Sequence, residues 1–295
     1  MTTISATVIA DSVPHESLNH DTRITTFELR YPRFIHAEVM THRVFSRNAS
    51  SSRAIPVKKL IEDIRRHPVV PLHWGKNQPG MQANEEHDEQ VNLLFPVSRE
   101  EAWLRVCDNS VRHAEAFAQA GYHKQIVNRI LEPFAHINVV LTATEFTNFF
   151  ALRNHKDAEP HIRLLAQAMW DAMQASTPEV IGDGGYHLPY IREEESHLPI
   201  GTRLKISTAR CARVSYKTYD GKLSTVDKDV ELYERLVGSD IKHATPAEHQ
   251  AKPDYKVQYY CFSDEEYHGN FTGWIQHRQM IDGQNITEYD PKAAS

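Results

Sequence analysis

The feature that most constrains this chain is a change of period at Pro32. Residues 23–31 alternate, with Ile24, Thr26, Glu28 and Arg30 on one side and Thr25, Phe27, Leu29 and Tyr31 on the other. Successive side chains of a strand point to opposite faces, and the second side is the more apolar, so a half-buried strand is expected. Pro32 ends that strand and suits the first turn of a helix. Phe34, Ala37, Thr41 and Phe45 then follow at helical spacing. His42 and Arg43 are therefore expected late on a helix, with the serine-rich run behind them as its exit.

That exit is chemically dense. Residues 42–53 read HRVFSRNASSSR, setting His42, Arg43, Arg47 and Arg53 among Asn48 and the hydroxyls of Ser46, Ser50, Ser51 and Ser52. Arginine offers a planar fork of donors that matches phosphate oxygens, and hydroxyls fill the remaining acceptor sites. A solvated polar turn is the plainer reading of such a run.

Further along, residues 67–84 carry several Pro and Gly without periodicity and read as a loop, in which Trp74 and Met81 could stack on a ring or simply pack on the core. Ser98 and Glu101 form a capping box for a helix whose buried stripe would include Trp103, Val106, Cys107, Ser110, Ala114, Phe117 and Ala118. A second helix is expected over 122–131, and a helical or mixed stretch over 134–152. From Pro160, the residues Ile162, Leu165, Ala166, Met169, Trp170 and Met173 mark an amphipathic helix. Residues 178–202, with Gly-Asp-Gly-Gly and three prolines, are expected to link 1–177 to a second segment, 203–295. That segment would hold an acidic helix at 227–237 and a strand at 255–262.

Composition narrows the function classes. A chain of 295 residues with 40% hydrophobic content can bury a sizeable core. The net charge of −6 and the lack of a basic block argue against a duplex-binding face, but not against a local site for a single nucleotide. The start, MTTISATVIADS, does not read as a signal peptide, and no stretch approaches the roughly 20 apolar residues of a membrane span. Three dispersed cysteines, Cys107, Cys211 and Cys261, fit a reducing cytoplasm; Cys107 reads as core and the other two as strand-borne. There are 18 histidines, yet no His-Glu-x-x-His and no Cys-x-x-Cys, so no metal site is expected.

Three further motifs stand out. Leu152-Arg153 closes an apolar segment, where an unpaired guanidinium would be costly to desolvate and so wants an anionic or carbonyl partner. Residues 212–216 read ARVSY. Residues 243–249 read HATPAEH, which looks like a helix start with Thr245 as the cap, Pro246 first and Glu248 third.

Together these motifs resemble the flavin-dependent thymidylate synthases, the ThyX or Thy1 family. Its signature, Arg-His-Arg-x-x-Ser-x-Asn-x-x-Ser-x-Arg, is matched at His42, Arg43, Ser46, Asn48, Ser51 and Arg53. Asn128 to Pro133 is similar to the family's Ala-Arg-x-x-Leu-Pro, and Asn148 with Leu152-Arg153 to its Asn-Phe-x-x-Leu-Arg. Ala212 to Tyr216 and His243 to His249 resemble two motifs that usually come first. Here they come last, as in a circular permutation, which surface termini and linkers tolerate. Departures are Thr41 for the leading Arg, Ala49 for an acidic residue, Ala54 for a Tyr and Glu38 for a Gln. The loop at 67–96 has no counterpart.

The resemblance implies an α+β fold, a mixed sheet packed with a helical bundle in one compact domain, with 203–295 completing it. It implies a cytoplasmic homotetramer, in a bacterial or phage-infected cell, that methylates dUMP or a related pyrimidine nucleotide with FAD, NADPH and methylenetetrahydrofolate. Arg153 would be catalytic. Glu38, Ser50, Ser51, Ser52, Arg53, Arg129 and Arg153 would bind substrate. His42, Arg43, Asn48, Asn148, Ser215, His243, Thr245 and Glu248 would line the flavin. Three rivals are a flavin- and folate-dependent hydroxymethylation, a nucleotide-binding module without catalysis and, last for want of ligand spacing, a histidine-rich metal hydrolase.

Overall fold

The structure is a computed structural model that describes residues 2–83, 85–218, 221–258 and 261–285. Strand β1 (Ser5–Pro14) pairs antiparallel with β2 (Ile24–Pro32). The strand read from alternation is thus present, but it is not half-buried. It lies inside a sheet, and Thr25 and Thr26 are as inaccessible as Phe27. The polar members of the alternation have partners instead of solvent: Glu28 accepts from the Tyr190 hydroxyl at 2.6 Å, and Arg30 forms a two-pronged pair with Asp63.

Pro32 is the last strand residue rather than the first of a helix. A 3-10 turn (Arg33–Ile35) and one helical turn, α1 (His36–Val39), follow. The helix stops early for a visible reason. Arg47 donates to the carbonyls of Val39, Met40 and His42 at 3.0–3.3 Å, satisfying groups that a longer helix would have used. His42 and Arg43 therefore occupy a turn, and the residues after them form an edge strand, β3 (Ser46–Ala49), instead of a helix exit.

Helix α2 (Val57–Arg66) buries Leu60, Ile61 and Ile64. The long loop beyond it contains a small hairpin, β4 (Val91–Asn92) with β5 (Pro96–Val97). Helix α3 (Arg99–Gln119) starts on its expected cap, Ser98 Oγ accepting from Glu101 N at 3.1 Å. Its buried face is Ala102, Cys107, Val111 and Ala114, whereas Val106 and Phe117 point outward. The helix expected over 122–131 shrinks to α4 (Lys124–Val127) and a 3-10 run, Asn128–Phe134, because Pro133 cannot donate to a helical ladder. Strand β6 (His136–Ala143), α5 (Thr147–Arg153) and α6 (Pro160–Ala175) come next. Glu159 caps α6, accepting from His161 N and Ile162 N. The buried stripe of α6 is Ile162, Leu165, Ala166 and Met169, with Trp170 at its exposed margin.

The stretch expected as a linker is knitted into the molecule. Its β7 (Glu179–Ile181) adds parallel to β1, and His187, Tyr190 and Glu195 are buried. Helix α7 (Ile200–Arg213) then carries Cys211, which is helical, not strand-borne, and ends on Val214 in a left-handed cap. Helix α8 (Val226–Val237) precedes β8 (Ala251–Pro253), the hairpin strands β9 (Lys256–Gln258) and β10 (Cys261–Phe262), and β11 (Trp274–Gln276), which pairs with β8.

The main sheet has the order β3-β6-β2-β1-β7. Residues of α5 and α6 pack on one face, where Phe27, Leu29, Val139 and Leu141 meet Phe149, Ile162 and Met169. On the other face Val140 meets Tyr190, Cys211 and Val214. The α+β class and the mixed sheet packed with helices are as the sequence implied. No helix among the described residues is long and apolar enough to cross a membrane.

Candidate functional site

The edge strand β3 organises the site, because the motif residues distribute along its length. At its leading end, Arg153 closes α5 and donates from Nε to His42 Nε2 at 2.9 Å and from a terminal nitrogen to Thr41 Oγ1 at 3.4 Å. Two motifs 111 residues apart in sequence thus meet. Phe45, Phe146 and Phe149 back the contact, with His42 stacked on Phe45 and edge-on to Phe149. Burial, then the charges of Arg153 and Arg47, hold the His42 imidazole below its ordinary pKa. A neutral ring keeps a lone pair for the guanidinium. Thr41, standing where the family's leading arginine would be, accepts from Arg153 and spares it a like charge.

Glu38 lies one turn earlier, half-buried, with no hydrogen-bond partner for its carboxylate among the described residues. Burial and then the negative charge of Glu159 raise its pKa, against the opposing pull of Arg153 and His161. Glu159 itself is committed to capping α6 and to His161 Nδ1, 2.5 Å away.

At the far end of β3 the chain turns through Ser50, Ser51, Ser52 and Arg53. Two of these hydroxyls have internal work. Ser50 Oγ accepts from Asn138 N at 3.1 Å, and Ser52 Oγ donates to Glu132 at 2.6 Å. Asn128 donates to the carbonyls of Ser52 and Ile55, and Lys124 to that of Ala54, so the turn is clamped onto the segment that carries Arg129. Ser51, Arg53 and Arg129 remain exposed, and neither arginine has a carboxylate partner among the described residues. Exposed Arg43 is likewise free of one.

Between the two ends, Asn48 faces the turn that holds Thr245 and His249. One side of its amide lies 3.2 Å from each of Thr245 O, Arg47 O and His249 Nε2, a setting with two carbonyl oxygens that suits the amide nitrogen rather than the oxygen. The segments 243–249 and 46–49 are therefore neighbours in space although they stand about 200 residues apart. The local structure of that turn differs from expectation. Thr245 does not cap a helix; it opens a 3-10 turn, Thr245–Glu248, after Ala244. Glu248 does not reach back to a cap either, since its carboxylate is paired with Arg278.

The other flavin candidates are more scattered. Asn148 is exposed on α5, and His243 is exposed beyond α8. Ser215 is half-buried and accepts from Lys217 N at 2.9 Å. The two arginines before it, Arg213 within the ARVSY motif and Arg210 just ahead of it, are structural. Arg210 is fully buried, bonded twice to Glu195, once to Asp229 and once to Tyr190 O, and Arg213 completes the cluster through Asp229 and Ser224.

Sequence reasoning missed the polar groups under β3, namely His187, Thr26 and Thr142. Their signal was a threonine set within an apolar strand and a histidine after a glycine-rich turn. No cluster of three or more His, Cys, Asp or Glu able to hold a metal occurs among the described residues. Burial raises the pKa of Cys107 to about 11 and that of Cys211 further still, which leaves both thiols protonated.

Fold and site together define a mixed α+β protein in which arginines, amides and hydroxyls gather along one edge strand. The comparisons make the class specific. Residues 13–179 match the model of the thymidylate synthase complementing protein family, Thy1, and the chain belongs to that family. The match ends before Arg203, so the ARVSY and HATPAEH motifs lie outside it. The flavin-dependent thymidylate synthase of Aquifex aeolicus (strain VF5) is 26% identical over 158 residues, 52% of this chain and 46% of that protein. The chain thus spans about half the length of the curated relative it matches. Among solved structures, similarity extends to the UMP/dUMP methylase PolB from Streptomyces cacaoi bound with 5-Br dUMP, at 13% identity, 58% of this chain, 90% of that one and a TM-score of 0.42. It also extends to ThyX from Helicobacter pylori complexed with FAD and dUMP, at 18% identity, 51% of this chain, 67% of that one and a TM-score of 0.35.

Proposed function

We propose that the protein methylates C5 of a uracil deoxynucleotide, dUMP by preference, with FAD, NADPH and methylenetetrahydrofolate. The observation that carries this reading is the Arg153–His42–Thr41 contact, which joins two family motifs at one end of a strand whose other end offers Ser51, Arg53 and Arg129, side chains without partners among the described residues. Those three hold the phosphate. Ser50 and Ser52 shape the turn rather than bind. Arg153 contacts the pyrimidine and favours its anionic form, because a fixed cation stabilises developing negative charge. His42, neutral and stacked on Phe45, orients the guanidinium.

The two ends of β3 are about 10 Å apart at roughly 3.3 Å per residue. We therefore propose a homotetramer in which one nucleotide takes its phosphate rim and its Arg153 from different copies. The segment after 203 contributes to the same domain where Thr245 and His249 meet Asn48, and His243 and Ser215 are assigned to the flavin by the family resemblance. The donor set there fits FAD: Arg43 offers an unpaired cation to a pyrophosphate, and Asn48, Asn148 and Thr245 offer amide and hydroxyl groups to a polar ring edge. When bound, the flavin supplies the hydride. The cytoplasm of a bacterial or phage-infected cell suits the co-substrates.

Incubation with dUMP, methylenetetrahydrofolate and NADPH, followed by mass analysis of the nucleotide, tests the reading. A gain of one methyl group is expected. A second reading keeps the fold and changes the product to a hydroxymethyl pyrimidine. Its motive is the unbonded Glu38 carboxylate near Arg153, where the family has a neutral glutamine. A product heavier by one hydroxymethyl group would favour it, and no product with bound nucleotide would favour a binding module.

A further inference from the structure

Beneath β3 runs an unbroken line of buried polar groups that the proposed reaction does not use. His249 Nδ1 meets Thr142 Oγ1 at 2.8 Å, Thr142 Oγ1 meets Thr26 Oγ1 at 2.7 Å, Thr26 Oγ1 meets His187 Nε2 at 2.7 Å, and His187 Nδ1 meets Ser12 Oγ at 2.9 Å. Thr26, Thr142 and His249 are inaccessible to solvent, and Ser12 and His187 nearly so. The line crosses the sheet from β3 through β6 and β2 to β1. Burial pushes both imidazoles down to about 3, so each is neutral and carries one N–H.

The proton order along the line follows from its outer end. The side of the Asn48 amide that faces inward meets two obligatory acceptors, Thr245 O and Arg47 O, and one ring nitrogen, His249 Nε2, whose role depends on its tautomer. An oxygen turned that way would face two other oxygens, so the nitrogen must face them. His249 Nε2 is then an acceptor, and its single proton sits on Nδ1. From there each group has one choice left. His249 donates to Thr142, Thr142 to Thr26, Thr26 to His187, and His187 to Ser12. His249, Thr142, Thr26 and His187 each donate once, and the chain reads in one direction. In this orientation Asn48 Oδ1 points away from the three groups and gives up the 3.2 Å contact with His249 Nε2 that the opposite orientation makes. An arrangement reading the other way would turn that oxygen inward and present the NH₂ group instead.

We propose that Thr142, Thr26 and His187 are positioning residues that fix the Asn48 amide, so that its oxygen is presented as an acceptor to a ring imide N–H of the bound ligand. Both the isoalloxazine of a flavin and the uracil of a nucleotide have such a group. This inference rests on the reading of the β3 face as the flavin–nucleotide site. A buried chain suits the task because inside the sheet no water can supply a substitute proton, so the order set at one end is kept at the other.

The test combines two measurements on the full-length protein. The first is the tautomer of His249, read from its side-chain 15N shifts at neutral pH in the ligand-free protein. A proton on Nδ1 is expected, and a proton on Nε2 overturns the proposal. The second is separate titration with FAD and with dUMP. Thr142→Val removes the link with little change of shape, and Thr142→Ser restores the hydroxyl. Binding of one ligand should weaken at least tenfold in Thr142→Val and return to within twofold in Thr142→Ser, and the ligand affected identifies which imide Asn48 reads. Wild-type affinity for both ligands in Thr142→Val also overturns the proposal. If that variant does not fold, Thr26→Val breaks the next link, and the tautomer remains decisive. Should the wild-type protein bind neither ligand, the function proposed above falls, while the His249 tautomer still decides the direction of the chain.

Discussion

The arginines of α7 and those around β3 make opposite use of the same side chain. Arg210 is buried and every arm of its fork is bonded, to Glu195, Asp229 and Tyr190 O. Arg43, Arg53 and Arg129 are exposed and have no carboxylate to answer them among the described residues. Desolvating a guanidinium is costly, so an interior arginine must be fully partnered, and its partners depend on it in return. A rim arginine keeps its water and can exchange it for a phosphate. Partnering, rather than residue type, separates scaffold from site in this molecule.

The largest effect should come from breaking the interior side. Arg210→Met leaves Glu195 and Asp229 buried with too little positive charge. Removing one partner of a buried pair typically costs about 3–5 kcal/mol, so urea unfolding should show a loss of that size. A loss under about 1 kcal/mol would mean that Arg192 and Arg213 neutralise the cluster by themselves.

Arg153 stands between the two classes, half-buried with only neutral partners, His42 and Thr41. Arg153→Ala should lower turnover by about 10²–10³, the usual cost of removing a group that stabilises developing negative charge. FAD binding and thermal stability should stay near wild type. Unchanged turnover would remove Arg153 from the chemistry, and a collapse of stability would move it to the scaffold.

Acid should separate the regions in another way. His187 and His249 are neutral when folded, with pKa values near 3, while the unfolded chain protonates them near 6.5. Their contribution is therefore complete above pH 6.5 and is lost as pH falls from there toward 3. Each unit of pH in that window costs about 1.4 kcal/mol per histidine, so the pair should lose about 2–3 kcal/mol between pH 7 and 5.5. Denaturant melts at the two pH values measure it. A flat profile would show that one or both imidazoles gain a proton without unfolding.

These contrasts also explain what could be read from sequence. The helix at 160 was legible because burial imposes a period on it, and the strand at 23–31 because its residue types alternate even though both faces are covered. Ser98 was legible as a cap because a helix start needs an acceptor for its own N–H groups. Edge strand β3 was not, because SRNA has no alternation and exists through its pairing with β6. The helical state of 200–213 was equally hidden, since the apolar and small residues there suit either a strand or a buried helix. Among the site candidates, Arg153 stood out by ending an apolar segment, whereas the inward turn of Ser52 depends on Glu132, 80 residues away. The Thr-Pro-x-Glu pattern suggested a cap, but Arg278 claims Glu248 and the turn tightens to 3-10.

On the rim the effects should be smaller and confined to nucleotide binding. On the proposed reading, Arg53→Ala and Arg129→Ala would each remove a charge-assisted bond to phosphate, worth about 1.5–3 kcal/mol, or roughly 10- to 100-fold in dUMP affinity. Calorimetric titration should show that loss with unchanged unfolding, and Ser51→Ala should lose less. If Arg53→Ala bound dUMP as wild type while Arg129→Ala did not, the phosphate would lie on the 124–134 side of the turn alone.

The smallest effect tests whether partnering matters without burial. Arg112 on α3 is paired with Asp108 at 2.6 Å, as closely as Arg210 is with Glu195, yet both side chains of the outer pair are mostly exposed, at 66% and 61%. Water screens that pair, and an exposed pair one helical turn apart contributes only about 0.3–0.5 kcal/mol. Arg112→Ala should therefore change the unfolding midpoint barely and leave turnover and ligand affinity untouched. Equal costs for Arg112→Ala and Arg210→Met would show that hydrogen-bond geometry alone sets the value of an arginine here. A tenfold difference in free energy would assign that value to desolvation, which is what distinguishes α7 from the rest of the surface.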